Sequence, residues 1–258
     1  MRITALTENI TENPDLSAEH GLSLYIETEE KKILFDMGQT ELFYENAQKL
    51  GIDLSAVDIA VISHGHYDHG GGLGKFLEIN KTAPVYISRY AFEPHYNGTE
   101  KYIGLDTSLQ NNSRLIFTAD EQLIGKNLTL FSCNGREQRF NLGCFGLNMI
   151  ENGELVPDDF RHEQYMLIEE QGKKVLISGC SHKGIMDIVS WSEPDVLVGG
   201  FHFSKLPLDE KLAEYAGILN SHRTEYYTCH CTGVMQYEFM KKYMDRLFYL
   251  SCGKSIVI

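Results

Sequence analysis

Three stretches of strand character open the chain, at 2–9 (RITALTEN), 21–30 (GLSLYIETEE) and 31–38 (KKILFDMG). The second alternates apolar and polar positions, and the third ends in an apolar run before Gly38. The spacing then changes. Leu42, Phe43, Ala47 and Leu50 fall on one helical face, and a glycine follows, which predicts a helix within 40–53. The run 57–63 (VDIAVIS) is apolar and β-rich, as expected of a strand buried on both faces. A helix over 72–80 and a strand over 84–88 give the order β-β-β-α-β-α-β. Residues 89–157 carry no clear period. They hold two short strand candidates, 113–117 and 128–132, and read as an irregular insertion or lid within a single domain of 1–258. Regularity returns with a hairpin over 164–182 that turns at Gln171-Gly172. Helices at 185–191, 208–222 and 234–247 then alternate with strands at 194–203, 224–233 and 248–258.

Strand after strand ends in a histidine, cysteine or aspartate: Asp36, His64, Cys180 with His182, His202 and His230. In layered α/β folds the loops from several strands converge at one edge, where ligands collect. The densest stretch is 63–76, SHGHYDHGGGLGKF. Residues two apart on an extended segment point the same way, so His64 and His66 can face one ion, with Asp68 and His69 beyond them at the glycine turn. Four donors here, plus others from elsewhere, exceed one tetrahedral shell, whereas two ions accommodate them. Nitrogen and carboxylate donors suit zinc, iron or manganese. Gly70, Gly71 and Gly72 are expected to let backbone pass close to the metals, and the segment 70–74 to offer N–H groups to an anion. The competing interpretation is a histidine-rich polar loop or an adventitious surface site.

Composition narrows the function classes. The length, 258 residues with 43% hydrophobic, supports a sizeable core. A formal charge of −13 opposes binding to a polyanion, so nucleic acid is not an expected partner. The first residues lack an apolar signal region and no run is long enough to span a bilayer, which leads to the expectation of a cytoplasmic protein with no membrane partner. Cys133, Cys144, Cys180, Cys229, Cys231 and Cys252 form no dense secreted framework, so reduced thiols are expected. A homo-oligomer is left open.

HGHYDH resembles the H-x-H-x-D-H signature of the metallo-β-lactamase superfamily, and AVISHGHYDHGGGL is similar to its strand-loop-helix context. The resemblance implies an α/β fold, a four-layer αββα sandwich with metals along one edge, and two divalent metal ions, zinc first and iron or manganese as alternatives. It implies His64, His66, Asp68, His69 and His230 as ligands and sets Asp36 of ILFDMG behind one of them, as an orienting group. His162 stands at the family's third histidine, with Asp159 as an alternative, and Cys180 stands where the family usually has a bridging aspartate. Otherwise His162 belongs to a solvated charged turn and Cys180 is a small core residue. His182 and His202 are candidates for substrate contact or general acid, and Asp68 for orienting water. The bland alternatives are a helix cap for His182 and a strand-end residue bonded to backbone for His202. Cys229 and Cys231 flank His230 and are expected on the opposite face as structural residues, and His20, His95 and His222 at the surface.

SGCSHKGI, VGGFHF and CHCTG together resemble a narrower branch, that of the 7,8-dihydropterin-6-methyl-4-(β-D-ribofuranosyl)aminobenzene-5′-phosphate synthases. What the resemblance implies is a metal-dependent hydrolase acting on a small anionic phosphate ester or related ester, with metal-activated water as nucleophile. Two alternatives stand beside it. One is a transferase that joins an activated dihydropterin to an aminobenzene ribotide, and the other is a non-catalytic metal-holding sensor.

Overall fold

The computed structural model describes residues 1–258. The chain forms two compact units. Unit 1 comprises Met1–Ala119, Gly146–Gln164 and Ser251–Ile258, and unit 2 comprises Asp120–Phe145 and Tyr165–Leu250.

Unit 1 is organised around a seven-stranded sheet, in spatial order Ser255–Val257, Arg2–Thr7, Ser23–Glu27, Lys32–Phe35, Ile59–Ile62, Val85–Ser88 and Leu115–Thr118. The first four strands pair antiparallel. The remaining steps are parallel and need crossover segments. One crossover contains the helix Leu42–Lys49, which buries Phe43 and Ala47 of the predicted face; the next contains the helices Tyr67–Gly70 and Leu73–Ile79. Ile59–Ile62 lies between parallel neighbours and is buried at every position, which is why it reads as an unbroken apolar run. Leu34, Phe43, Ile62, Phe76 and Val85 belong to the core on which it sits.

The same helix buries a polar side chain that its pattern gives no reason to expect. The Asn46 amide donates to Leu6 O and Ser17 O, both at 2.8 Å, and to Cys252 Sγ, while its Oδ1 accepts from Ser17 N. Asn46 therefore ties the segment around Ser17 to the sheet.

Residues 89–157 contain more regular structure than their sequence suggests. His95–Asn97, Lys101–Tyr102, Leu147–Glu151 and Glu154–Pro157 form a separate four-stranded sheet. The two predicted candidates appear as Leu115–Thr118 and Leu128–Phe131. Strands this short, several with outward-facing residues on both faces, leave little hydrophobic alternation to detect.

Unit 2 holds the other seven-stranded sheet, in order Leu247–Tyr249, Glu225–Thr228, Val196–Gly199, Lys173–Ile177, Tyr165–Glu170, Leu128–Phe131 and Glu121–Gly125. The predicted hairpin is there, turning through Gln171 and Gly172, both at positive φ. The first four strands in this order are parallel, joined by crossovers containing the helices Ile185–Ser192, Glu210–Ser221 and Val234–Met240. Tyr165, Leu176, Leu197, Phe201, Tyr226 and Met240 are among the core residues. The helix expected over 234–247 stops at Met240. The closing strand expected over 248–258 is divided: Leu247–Tyr249 pairs in unit 2 and Ser255–Val257 in unit 1, with a turn between them at Ser251–Lys254 and Gly253 at φ 85°. No helix is long and apolar enough to cross a membrane.

Replacing Asn46 with Ala leaves the Leu6 and Ser17 carbonyls only the weak Cys252 thiol donor in place of the amide, and leaves Ser17 N without Asn46 Oδ1. We expect a loss of about 2 kcal/mol, read as a lower urea midpoint at unchanged slope.

Candidate metal centre

The centre of unit 1 begins where Ile59–Ile62 ends. Ser63, His64 and His69 are fully buried, and His66 and Asp68 are 4% and 9% exposed. The rings of His64 and His66 are 4.6 Å apart and those of His64 and His69 are 4.1 Å apart, so the motif does gather its imidazoles.

Asp36 organises them. Its Oδ1 accepts from Ser63 N at 2.6 Å, and its Oδ2 accepts from Ser63 Oγ at 2.7 Å and from His69 Nδ1 at 2.7 Å. Because the Ser63 hydroxyl spends its proton on Asp36, the 2.8 Å contact between Ser63 Oγ and His64 Nδ1 makes the imidazole the donor. Both His64 and His69 are thus protonated at Nδ1, which makes Nε2 the lone-pair nitrogen of each ring. Asp36 itself sits at φ 59°, an uncommon left-handed position for a non-glycine residue. That donor chemistry fits a divalent metal of the zinc, iron or manganese type.

The glycines after the motif serve a different purpose from the one expected. Gly70 N bonds to His66 O, and Gly71 N bonds to Gly38 O and Tyr67 O, so these N–H groups are already used within the chain. A Cβ at Gly71 would lie 2.2 Å from Gln39 O, and one at Gly72 would lie 2.3 Å from Met37 O. They let the turn pack against the backbone of 37–39.

A second buried cluster lies beside the first. Asp158 Oδ2 is 2.9 Å from His95 Nδ1, 3.3 Å from His162 Nε2 and 3.9 Å from His66 Nε2. His162 Nδ1 accepts the Gly65 N–H at 2.8 Å, so its proton is on Nε2 and points to Asp158. His162 thus supports the His64–His66 loop through Gly65, and it stands with His66, His95 and Asp158 in a set of buried donors all within 4.8 Å of one another. Burial pushes the His162 imidazole down to about 3, with the neighbouring His95 acting in the same direction. Burial opposes ionisation of Asp158, but the surrounding imidazoles outweigh it and hold the carboxyl far below its ordinary range.

This cluster also revises two sequence assignments. Asp158 is buried, whereas Asp159, the alternative ligand, has an exposed side chain that accepts from Arg161 N. His95, expected at the surface, is fully buried. His20 is exposed as expected, yet its Nε2 lies 3.2 Å from Asp68 Oδ2.

In unit 2 three parallel strands end side by side, and the loops after them carry Cys180 with His182, His202, and His230 with Cys231. The rings of His182 and His202 are 4.2 Å apart, and Phe145 packs on His202 at 5.3 Å. Ser181, His202 and His230 all have positive φ, conformations held only where the surroundings impose them. Cys229 and Cys231 depart from simple alternation because the strand ends at Thr228 and His230–Thr232 is a 3-10 turn. Cys231 comes to lie with Cys180 and His202, their donor atoms all within 4.8 Å of one another. The glycines before His202 are explained by this approach: a Cβ at Gly200 would lie 2.4 Å from Cys231 Sγ, and one at Gly199 2.1 Å from Ser178 O. All six cysteines are thiols with no disulfide.

Comparison with known proteins agrees with the motif. The profile of the metallo-β-lactamase superfamily matches residues 17–218. The chain belongs to the metallo-β-lactamase superfamily. It is 31% identical over 227 residues to an uncharacterised protein of Methanocaldococcus jannaschii, covering 84% of this chain and 85% of that one. It is 27% identical over 269 residues to the 7,8-dihydropterin-6-methyl-4-(β-D-ribofuranosyl)-aminobenzene-5′-phosphate synthase of the same organism, covering 95% and 92%. Among solved structures, Tm1679, a metal-dependent hydrolase of the β-lactamase superfamily, superposes with a TM-score of 0.85 at 31% identity over 100% of this chain and 99% of that one. The metallo-β-lactamase α/β fold expected from the sequence is therefore present, and with it a superfamily context of metal binding.

Two outcomes follow from the unit 1 geometry. Asp36→Asn keeps the shape but weakens the anchor of His64 and His69, and metal affinity measured against a chromophoric chelator is expected to fall about 10–100-fold. In metal-free protein the unfolded chain takes up a proton at His162 below pH 6.5 that the folded chain refuses until about 3. Stability is thus complete above that window and falls as pH drops through it, by about 1.4 kcal/mol per pH unit from this group. Urea unfolding between pH 7 and 4 should show a shallower decline in His162→Gln than in the unsubstituted protein.

Proposed function

We propose that the protein is a binuclear-metal-dependent hydrolase of small phosphate esters or related esters. The observation that carries this reading is the buried gathering of His64, His66, Asp68 and His69, with the His64 and His69 tautomers fixed through Ser63 and Asp36. Bound divalent cations supply Lewis acidity, bringing the pKa of water toward neutrality and neutralising charge that develops on phosphoryl or carbonyl oxygen.

The chain's own groups have separate tasks. The resemblance assigns His64, His66, Asp68, His69, Cys180 and His230 as the residues that would hold the cations. Asp36 and Ser63 hold imidazole tautomers without needing to touch substrate. Asp68 orients the attacking water, and His182 delivers a proton to the leaving group. Keeping His162 neutral at working pH limits the positive charge around His66, which lets Asp158 balance that side of the cluster.

The test is a substrate panel of nitrophenyl phosphomonoester, nitrophenyl phosphodiester, lactone and thioester, with protein loaded anaerobically with zinc, iron(II) or manganese. Turnover that disappears with chelator, returns with metal and is abolished by His66→Ala is the expected outcome; inactivity across the whole panel counts against a hydrolase. The identity to a pterin phosphate synthase over most of both chains favours a second reading, transfer to an aminobenzene ribotide. In that case dihydropterin diphosphate binds and pyrophosphate is released only when the second substrate is present.

A further inference from the structure

Each of three adjacent parallel strands in unit 2, Lys173–Ile177, Val196–Gly199 and Glu225–Thr228, is followed by a loop that delivers one soft or borderline donor: Cys180 Sγ, a ring nitrogen of His202 and Cys231 Sγ. Their donor atoms lie no more than 4.8 Å apart. Tetrahedral bonds of about 2.3 Å to sulfur and about 2.0 Å to nitrogen place donors roughly 3.6–3.8 Å apart. Side-chain adjustments of about 1 Å therefore suffice to enclose one cation.

Three further observations point to a ligand. Both ring nitrogens of His202 are shielded from solvent and neither has a hydrogen bond of good geometry, a costly arrangement for buried polar atoms. Cys231 Sγ accepts the His202 backbone N–H at 3.2 Å, which holds the sulfur against the loop that carries His202. The backbone around them is also specialised for the approach. His202 is at φ 57°, and Gly199 and Gly200 occupy places where a Cβ would meet Ser178 O or Cys231 Sγ. A histidine serving only to end a strand needs none of these features.

We propose that Cys180, His202 and Cys231 form a thiolate–imidazole site for a soft or borderline divalent cation, zinc or iron(II), carried entirely by unit 2. Two sulfurs and one nitrogen exclude magnesium and calcium, which take oxygen donors. Three protein ligands leave one position of a tetrahedral shell to solvent or an exchangeable ligand. The site does not rest on the hydrolytic reading. The two assignments share Cys180 alone, so Cys231 and His202 distinguish them.

The probe is cobalt(II) added anaerobically to reduced, metal-free full-length protein, with sulfur-to-cobalt charge-transfer absorption as the readout. The expected result is a band that falls to about half in Cys231→Ser, is lost in the double variant Cys180→Ser/Cys231→Ser, and is kept in His66→Ala. His202→Gln should retain the thiolate band but require at least tenfold more cobalt to saturate it. A band of unchanged strength in Cys231→Ser, leaving Cys180 as the sole sulfur ligand, overturns the proposal, as does no band in the unsubstituted protein. A measurement that needs no variant is cadmium-113 resonance of the unsubstituted protein. A signal in the two-thiolate range supports the site, and only one-thiolate or all-nitrogen and oxygen signals reject it. Failure of ester turnover with the thiolate signals intact would overturn the hydrolase reading and leave this one standing.

Discussion

Everything at the unit 1 centre depends on a single buried carboxylate. Asp36 has no solvent exposure, and its negative charge is offset by a backbone N–H, a hydroxyl and an imidazole N–H from the segment that follows the next parallel strand. An anion in that position without donors would be too costly to bury. With them, it converts a flexible, histidine-rich turn into an array with defined tautomers. Register between Lys32–Phe35 and Ile59–Ile62 brings the two parts together, so a pairing formed by ordinary apolar strands decides which nitrogen of each imidazole is available.

Asp158 uses the same principle differently. It is surrounded by His66, His95 and His162, and its stabilisation draws together parts of unit 1 that are far apart along the chain. His162 hands on the constraint by accepting the Gly65 N–H between His64 and His66. Arg161 strengthens the support, with its guanidinium bonded to Glu93 and Glu151. Two carboxylates thus restrain the histidine segment: Asp36 holds both its ends, through Ser63 and His69, and Asp158 steadies its middle, through His162 at Gly65 and the approach to His66.

Legibility of these features followed their distance in sequence. His64, His66, Asp68 and His69 were visible because the donors lie within one turn of chain, and Asp36 because a strand leads directly to it. The His95–Asp158 pair was hidden by a separation of 63 residues and by strands too short to show a period. His162 was placed by its position before the hairpin, but its hydrogen bonds depend on Gly65, 97 residues away. The surroundings of Cys231 were not legible because alternation holds only while a strand stays extended, and here it ends at Thr228. The order of the principal sheets was legible for the converse reason: long apolar runs and regular crossovers carry their own signal. Asn46 gave none, since a polar residue on a helix has the same appearance whether it meets water or a buried carbonyl.

The interrupted course of unit 1 bears on how the molecule is made. Arg2–Thr7 has Ser23–Glu27 on one side, but its other neighbour is Ser255–Val257, and the Thr4 and Ser255 hydroxyls meet at 2.7 Å across a separation of 251 residues. During synthesis Arg2–Thr7 therefore presents an open edge until Ser255–Val257 has been made, after all of unit 2. Loop closure over such a span is slow, and an exposed edge invites pairing with another chain. Completion of that edge waits for Ser255–Val257, so the early intermediate, rather than the finished fold, is where association between nascent copies would compete.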